Sequence, residues 1–118
     1  MDFHGGRTQI RTEGTATNAT VVAYTVPAGR KFFLIEAMLN TDAGAVGSAY
    51  AEIRNALDVH VRNICFVNVQ AVTEGVVLGD HFEPGFPVEL AEGETVAVVS
   101  GVALLVAQLG ISGFEVGA

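Results

Sequence analysis

The chain has 118 residues, with 13 Asp and Glu against 6 Lys and Arg, a formal charge of −7 at pH 7, and 50% hydrophobic residues against 16% charged ones. This length makes one domain, and the apolar content excludes an intrinsically disordered chain. One small core does not use up so much apolar surface, which predicts an oligomer.

The charge is unevenly placed. Residues 1–70 hold six acids and six bases, whereas residues 71–118 hold seven acids and no Lys or Arg. A strongly acidic surface repels phosphate backbones, so nucleic acid is not an expected partner. A basic protein surface, or the Arg-bearing half of a neighbouring subunit, suits it better, and dispersal in water explains it equally well. Cys65 is the lone cysteine, which excludes an internal disulfide and a cysteine-based zinc site and fits a reducing compartment. Met1 to Gly6 has neither a basic nor an apolar stretch, so no secretory signal is expected, and the sequon Asn18-Ala19-Thr20 is read as chance. Thr95 to Phe114 is uncharged and long enough to cross a membrane as a helix. Ser100-Gly101, Gly110 and Ser112-Gly113 break it, and no basic residue flanks it, so it reads as two strands and no membrane partner is expected.

In chain order, residues 1–19 are polar and rich in Gly and Thr, show no apolar period, and read as an N-terminal arm or disordered tail. Residues 20–118 read as a β-sandwich domain. Its β-branched runs predict strands at Thr20–Val26, Lys31–Asn40, Ala49–Asn55, Val59–Val69, Thr73–His81, Phe86–Leu90, Thr95–Ser100 and Ala103–Val116. The breaks carry turn chemistry: Pro27-Ala28-Gly29, Glu83-Pro84-Gly85, Ala91-Glu92-Gly93-Glu94 and Ser100-Gly101. Strict alternation from Lys31 puts Phe33, Ile35, Ala37 and Leu39 on one face and Phe32, Leu34, Glu36 and Met38 on the other. One face is expected to fill the core. The other, with Phe32, Leu34 and Met38, is expected to meet a neighbouring subunit or the arm. In the Val59 run, Val59, Val61, Cys65, Val67 and Val69 share a face, which makes Cys65 an inert core residue. The last strand would span about 45 Å if straight, so a bend or bulge is expected near Gly110 or Gly113. About eight antiparallel strands predict an all-β, jelly-roll-like sandwich, a closure that limits exposed edges.

No catalytic, cofactor-binding or metal constellation is legible. His4, His60 and His81 are scattered, and His81-Phe82-Glu83 is the closest approach to a ligand pair. Gly110-Ile111-Ser112-Gly113-Phe114 lacks the spacing and the helix of a nucleophile elbow. No phosphate-binding glycine loop precedes a helix, and no basic patch carries interleaved aromatics. A non-enzyme without cofactors is the expectation.

Tyr24-Thr25-Val26-Pro27-Ala28-Gly29-Arg30-Lys31-Phe32-Phe33-Leu34, followed by Pro87-Val88-Glu89-Leu90-Ala91-Glu92-Gly93-Glu94-Thr95-Val96, resembles small jelly-roll virion proteins of tailed bacteriophages, most of all capsid decoration (cement) proteins. The resemblance covers residues 20–116. It implies a homotrimer on the capsid exterior, made in the host cytoplasm, that contacts the major capsid protein and stabilises the assembled shell by mass action. Arg7, Gln9, Ile10 and Arg11 would then be the arm contacts, and deleting residues 1–15 should leave the sandwich folded while weakening attachment. The alternative is a receptor- or carbohydrate-binding module of a phage tail or fibre, with specificity in the loop Thr41–Ser48. That loop holds only Asp42 among charged residues and no aromatic before Tyr50.

Overall fold

The computed structural model describes residues 7–42, 44–72 and 75–117. Among them, nine strands follow in chain order: β1 (Thr8–Thr17), β2 (Ala19–Thr25), β3 (Arg30–Asp42), β4 (Gly47–Arg54), β5 (His60–Val69), β6 (Val76–Phe82), β7 (Val88–Leu90), β8 (Thr95–Ser100) and β9 (Val106–Gly117). They form two antiparallel sheets. Sheet A has the order β1-β9-β3-β6 with β7 also on β3, and sheet B has the order β2-β8-β4-β5. The first strand thus pairs with the last, the second with β8, β3 with β6 and β7, and β4 with β5. A long hairpin rolled up in this way is the strand order of a jelly roll.

The turns form where residue chemistry favours them. Gly29 takes φ 74° while the Arg30 amide donates to the Pro27 carbonyl at 3.2 Å. Between β4 and β5 the Asn55 side chain accepts from the amides of Leu57 and Val59 at 2.9 and 3.0 Å, which closes the loop locally. The core lies between the sheets. Phe32, Leu34, Ala37 and Leu39 of β3 face Ala51 and Ile53 of β4, Cys65 and Val67 of β5, and Val96 and Val98 of β8. Cys65 is buried as expected, with its Sγ 3.7 Å from the Ala37 carbonyl.

Four departures from the sequence reading have physical causes. Residues 8–17, expected within a free arm, form an edge strand paired with β9 from Thr8↔Glu115 to Thr17↔Val106. Their alternation is real, but the inward positions are Ile10, Thr12, Gly14 and Ala16, too small and polar to register as an apolar period. On β3, a bulge between Leu34 and Glu36 adds Ile35 and shifts the phase, so Phe32, Leu34, Ala37 and Leu39 all point inward. Phe32 and Leu34 are 0% exposed and are core residues, not a subunit-facing pair; of the three expected interface residues only Met38, at 52%, reaches the surface. On β5, bulges opposite Ala51/Glu52 and Ile53/Arg54 leave Val59 and Val61 exposed while Ile64 joins the core. After β8, Leu105 plugs the core and Ser100 Oγ donates to its carbonyl at 2.7 Å, so β9 begins at Val106 rather than Ala103. The expected start of β6 at Thr73 lies outside the described residues.

Two glycines make room for close packing, one within sheet A and one between the sheets. A Cβ on Gly113 would stand 2.6 Å from Phe32 Cζ and 2.2 Å from the Phe33 carbonyl oxygen, so the Phe32 ring occupies the space that any side chain there would need. The bulge expected on the last strand near Gly110 or Gly113 is not on β9: the extra residue is Ile35 of β3, beside the Leu34↔Gly113 pair. A Cβ on Gly79 would stand 2.7 Å from Val67 Cβ, which places β6 of sheet A directly against β5 of sheet B.

Candidate functional site

The outer face of sheet A is built by residues that alternate away from the core. On β9 these are Gln108, Gly110, Ser112 and Phe114, which are small in the middle and aromatic at one end. Gly110 pairs with Glu13 on one side and Met38 on the other, and Ser112 pairs with Arg11 and Glu36. Taller side chains on β1 and β3 therefore flank a low floor. Two shallow depressions result, of about 290 Å³ beside Glu13, Asn40 and Gln108 and about 280 Å³ beside Arg11, Glu36 and Ser112. At the aromatic end Phe33 and Phe114 stack at 5.1 Å, and the Arg7 guanidinium lies 3.7 Å from the Phe114 ring centre.

Next to the second depression, β6 adds His81 and, just past its end, Glu83. Positions i and i+2 of an extended chain share a face, so both project outward while Phe82 between them points in and packs against the core. His81 pairs with Met38, which sets it diagonal to Glu36. His81 Nε2 donates to Glu36 Oε2 at 2.8 Å and lies 3.9 Å from Glu83 Oε2.

On sheet B a second ionic group sits at the β4–β5 turn. Glu52 is 2% exposed; one carboxylate oxygen accepts from Arg54 and the other lies 2.5 Å from His60 Nδ1. Arg54 also donates to the Asp58 carboxylate at 2.7 Å and to the Asp58 carbonyl at 2.5 Å. Hydrogen bonding to Glu52, then to Asp58, raises the Arg54 pKa above its ordinary value. Both Glu52 carboxylate oxygens are matched, one by a guanidinium and one by an imidazole, which makes the group a clasp on the turn.

Beside this clasp the outer face of sheet B carries an uncharged row, flanked by the Ser48 hydroxyl hydrogen-bonded to Asn68 Oδ1 at 3.0 Å. Register aligns Thr20, Val99, Tyr50 and Phe66 in one row, and Val22 and Ala97 in the next beside Glu52. Phe66 is 48% exposed, and no charged side chain interrupts the first row.

The four expected arm contacts fall on or beside β1. Ile10 packs against the core, Arg7 covers Phe114, Arg11 lines a depression, and Gln9 is exposed. Sequence reasoning singled out His81 and Glu83 but missed Glu36, which is brought to them from 45 residues away by the β3–β6 ladder. No local spacing carries that signal. No family model matches the chain, and no curated protein matches it.

Proposed function

We propose that the chain is a capsid decoration protein, a homotrimer that binds the outside of an assembled bacteriophage head and stabilises it. The observation that carries this reading is the uncharged row Val99, Tyr50 and Phe66 across the outer face of sheet B, in a chain already rich in apolar residues. Such a face gains free energy when another protein surface covers it, at roughly 25 cal/mol per Å² of apolar area removed from water. The jelly-roll strand order agrees with what the Val26-Pro27-Ala28-Gly29 and Glu92-Gly93-Glu94 resemblance implies. The mechanism is linkage: a ligand that binds only the assembled shell stabilises it by about 2.7 kcal/mol at a free concentration 100 times its dissociation constant. The acidic C-terminal half disfavours DNA as a partner, and the resemblance implies the major capsid protein in its place. The site of action is the capsid exterior, and assembly from a reducing host cytoplasm suits the single free thiol of Cys65.

The test is co-sedimentation with tailed-phage heads stripped of their own decoration protein. Binding to assembled heads, with none to unassembled coat protein, is the expected result. Failure to bind any head in the panel would count against the proposal.

A second reading, a carbohydrate- or receptor-binding module, draws on the outer face of sheet A. There, carboxylates and amides of Glu13, Asn40 and Gln108 border a depression on the same face as the Phe33–Phe114 stack. Binding to a glycan array or to bacterial cells, and not to heads, would select it.

A further inference from the structure

We propose that Glu36, His81 and Glu83 form a binding site for a divalent cation of the zinc class on the outer face of sheet A. Each residue offers one ligand atom, and these atoms all lie within 4.8 Å of one another. Donor atoms around a tetrahedral zinc ion at its usual bond lengths stand about 3.4 Å apart. The observed separations of 2.8 and 3.9 Å from His81 Nε2 to the two carboxylates bracket that value, and the two glutamates close the third separation, within 4.8 Å, by side-chain rotation.

The backbone beneath the cluster is anchored at Phe82. Phe82 packs against the core between the two β6 ligands, and the Arg62 guanidinium lies 5.7 Å from its ring centre. Glu36 sits between two irregularities of β3, the bulge at Ile35 and the register shift after Met38, devices that re-aim side chains at sites.

The charge balance separates this cluster from the other His–Glu pair. Glu52 beside His60 is already neutralised by Arg54, and a cation there would be repelled by the guanidinium. Among the described residues no Lys or Arg forms an ion pair with Glu36 or Glu83; their shared partner is His81. Two carboxylates around one imidazole are an excess of negative charge that a divalent ion neutralises. An imidazole with two carboxylates and no thiolate selects zinc and its neighbours in the first transition series, whereas calcium requires six to eight oxygens. On binding, Nε2 releases the proton it donates to Glu36 while Nδ1 holds the one remaining ring proton, so a neutral imidazole offers its Nε2 lone pair to the metal. Three protein ligands leave a fourth position for water, and Glu36 also lines the depression of about 280 Å³ alongside.

The experiment is calorimetric titration of the tag-free full chain with zinc chloride in a non-chelating buffer near neutral pH, alongside His81→Gln, Glu83→Gln and His60→Gln. One ion per chain is expected, with affinity reduced at least tenfold in the first two variants and unchanged in the third. Magnesium in excess should not compete. Absence of saturable zinc binding up to millimolar concentration, or equal affinity in His81→Gln, overturns the proposal. Should a variant fold poorly, histidine side-chain NMR on the unaltered chain decides: zinc should move the His81 ring resonances and leave those of His60 in place, and the reverse pattern refutes the site.

Discussion

Replacing Phe32 and Phe33 separately by Ala measures which face of β3 fills the core. Strict alternation from Lys31 puts Phe33 with Ala37 and Leu39, whereas the Ile35 bulge puts Phe32 there, 0% exposed, with its ring over Gly113 and 4.7 Å from the Tyr24 ring. Truncating a fully buried Phe costs about 3–5 kcal/mol, because the cavity collapses only in part. Unfolding entropy near 2.1 cal/mol/K per residue gives this chain about 0.25 kcal/mol/K, so Phe32→Ala should lower Tm by about 12–20 °C. Phe33 is half-buried and stacks on Phe114, and its loss should cost about 1–2 kcal/mol, or roughly 4–8 °C. The assay is thermal unfolding followed by circular dichroism, with all proteins at one chain concentration so that any assembly contributes equally. A larger loss for Phe33→Ala than for Phe32→Ala would refute the bulge and the core built on it.

Three further outcomes follow from the packing. Cys65→Ser should lose roughly 1–3 kcal/mol in urea unfolding, because a hydroxyl replaces a thiol in an apolar site, and a neutral result would remove Cys65 from the core. Gly79→Ala should lose about 1–3 kcal/mol, since the new methyl meets Val67 Cβ at 2.7 Å and the Leu39 and Phe66 carbonyls at 3.0 Å; an unchanged midpoint would mean that β6 does not lie against β5. Deleting residues 1–15 removes most of β1 and leaves the β9 edge unpaired, so the truncated chain should aggregate or unfold at a much lower temperature. A stable, monodisperse product would restore the free-arm reading.

The sequence was most informative where apolar alternation and turn chemistry agreed. Thr95–Ser100 and the Pro27-Ala28-Gly29 turn are found where the residues place them, and so is the burial of Cys65. It was least informative where the ladder slips by one residue. Nothing in Leu34-Ile35-Glu36 announces the bulge, because Phe32 to Ile35 and Ala37 to Leu39 supply apolar residues to both faces and either phase looks acceptable. β1 was hidden for the opposite reason: of its inward residues only Ile10 and Ala16 are apolar, Thr12 and Gly14 add little, and backbone pairing to β9 along its whole length does much of the holding. The site on sheet A shows the same limit. His81 and Glu83 are two residues apart and visible together, but Glu36 joins them only through the β3–β6 register, which the bulges determine.

The most direct measurement of the central claim, that an apolar sheet face is covered by another protein surface, is the native mass by light scattering of the full chain and of Phe66→Lys. The account predicts a mass near three times 12.3 kDa for the full chain, falling towards one chain when a charge is placed in the Val99–Tyr50–Phe66 row. A full chain at 12.3 kDa, or a trimer indifferent to Phe66→Lys, would contradict it.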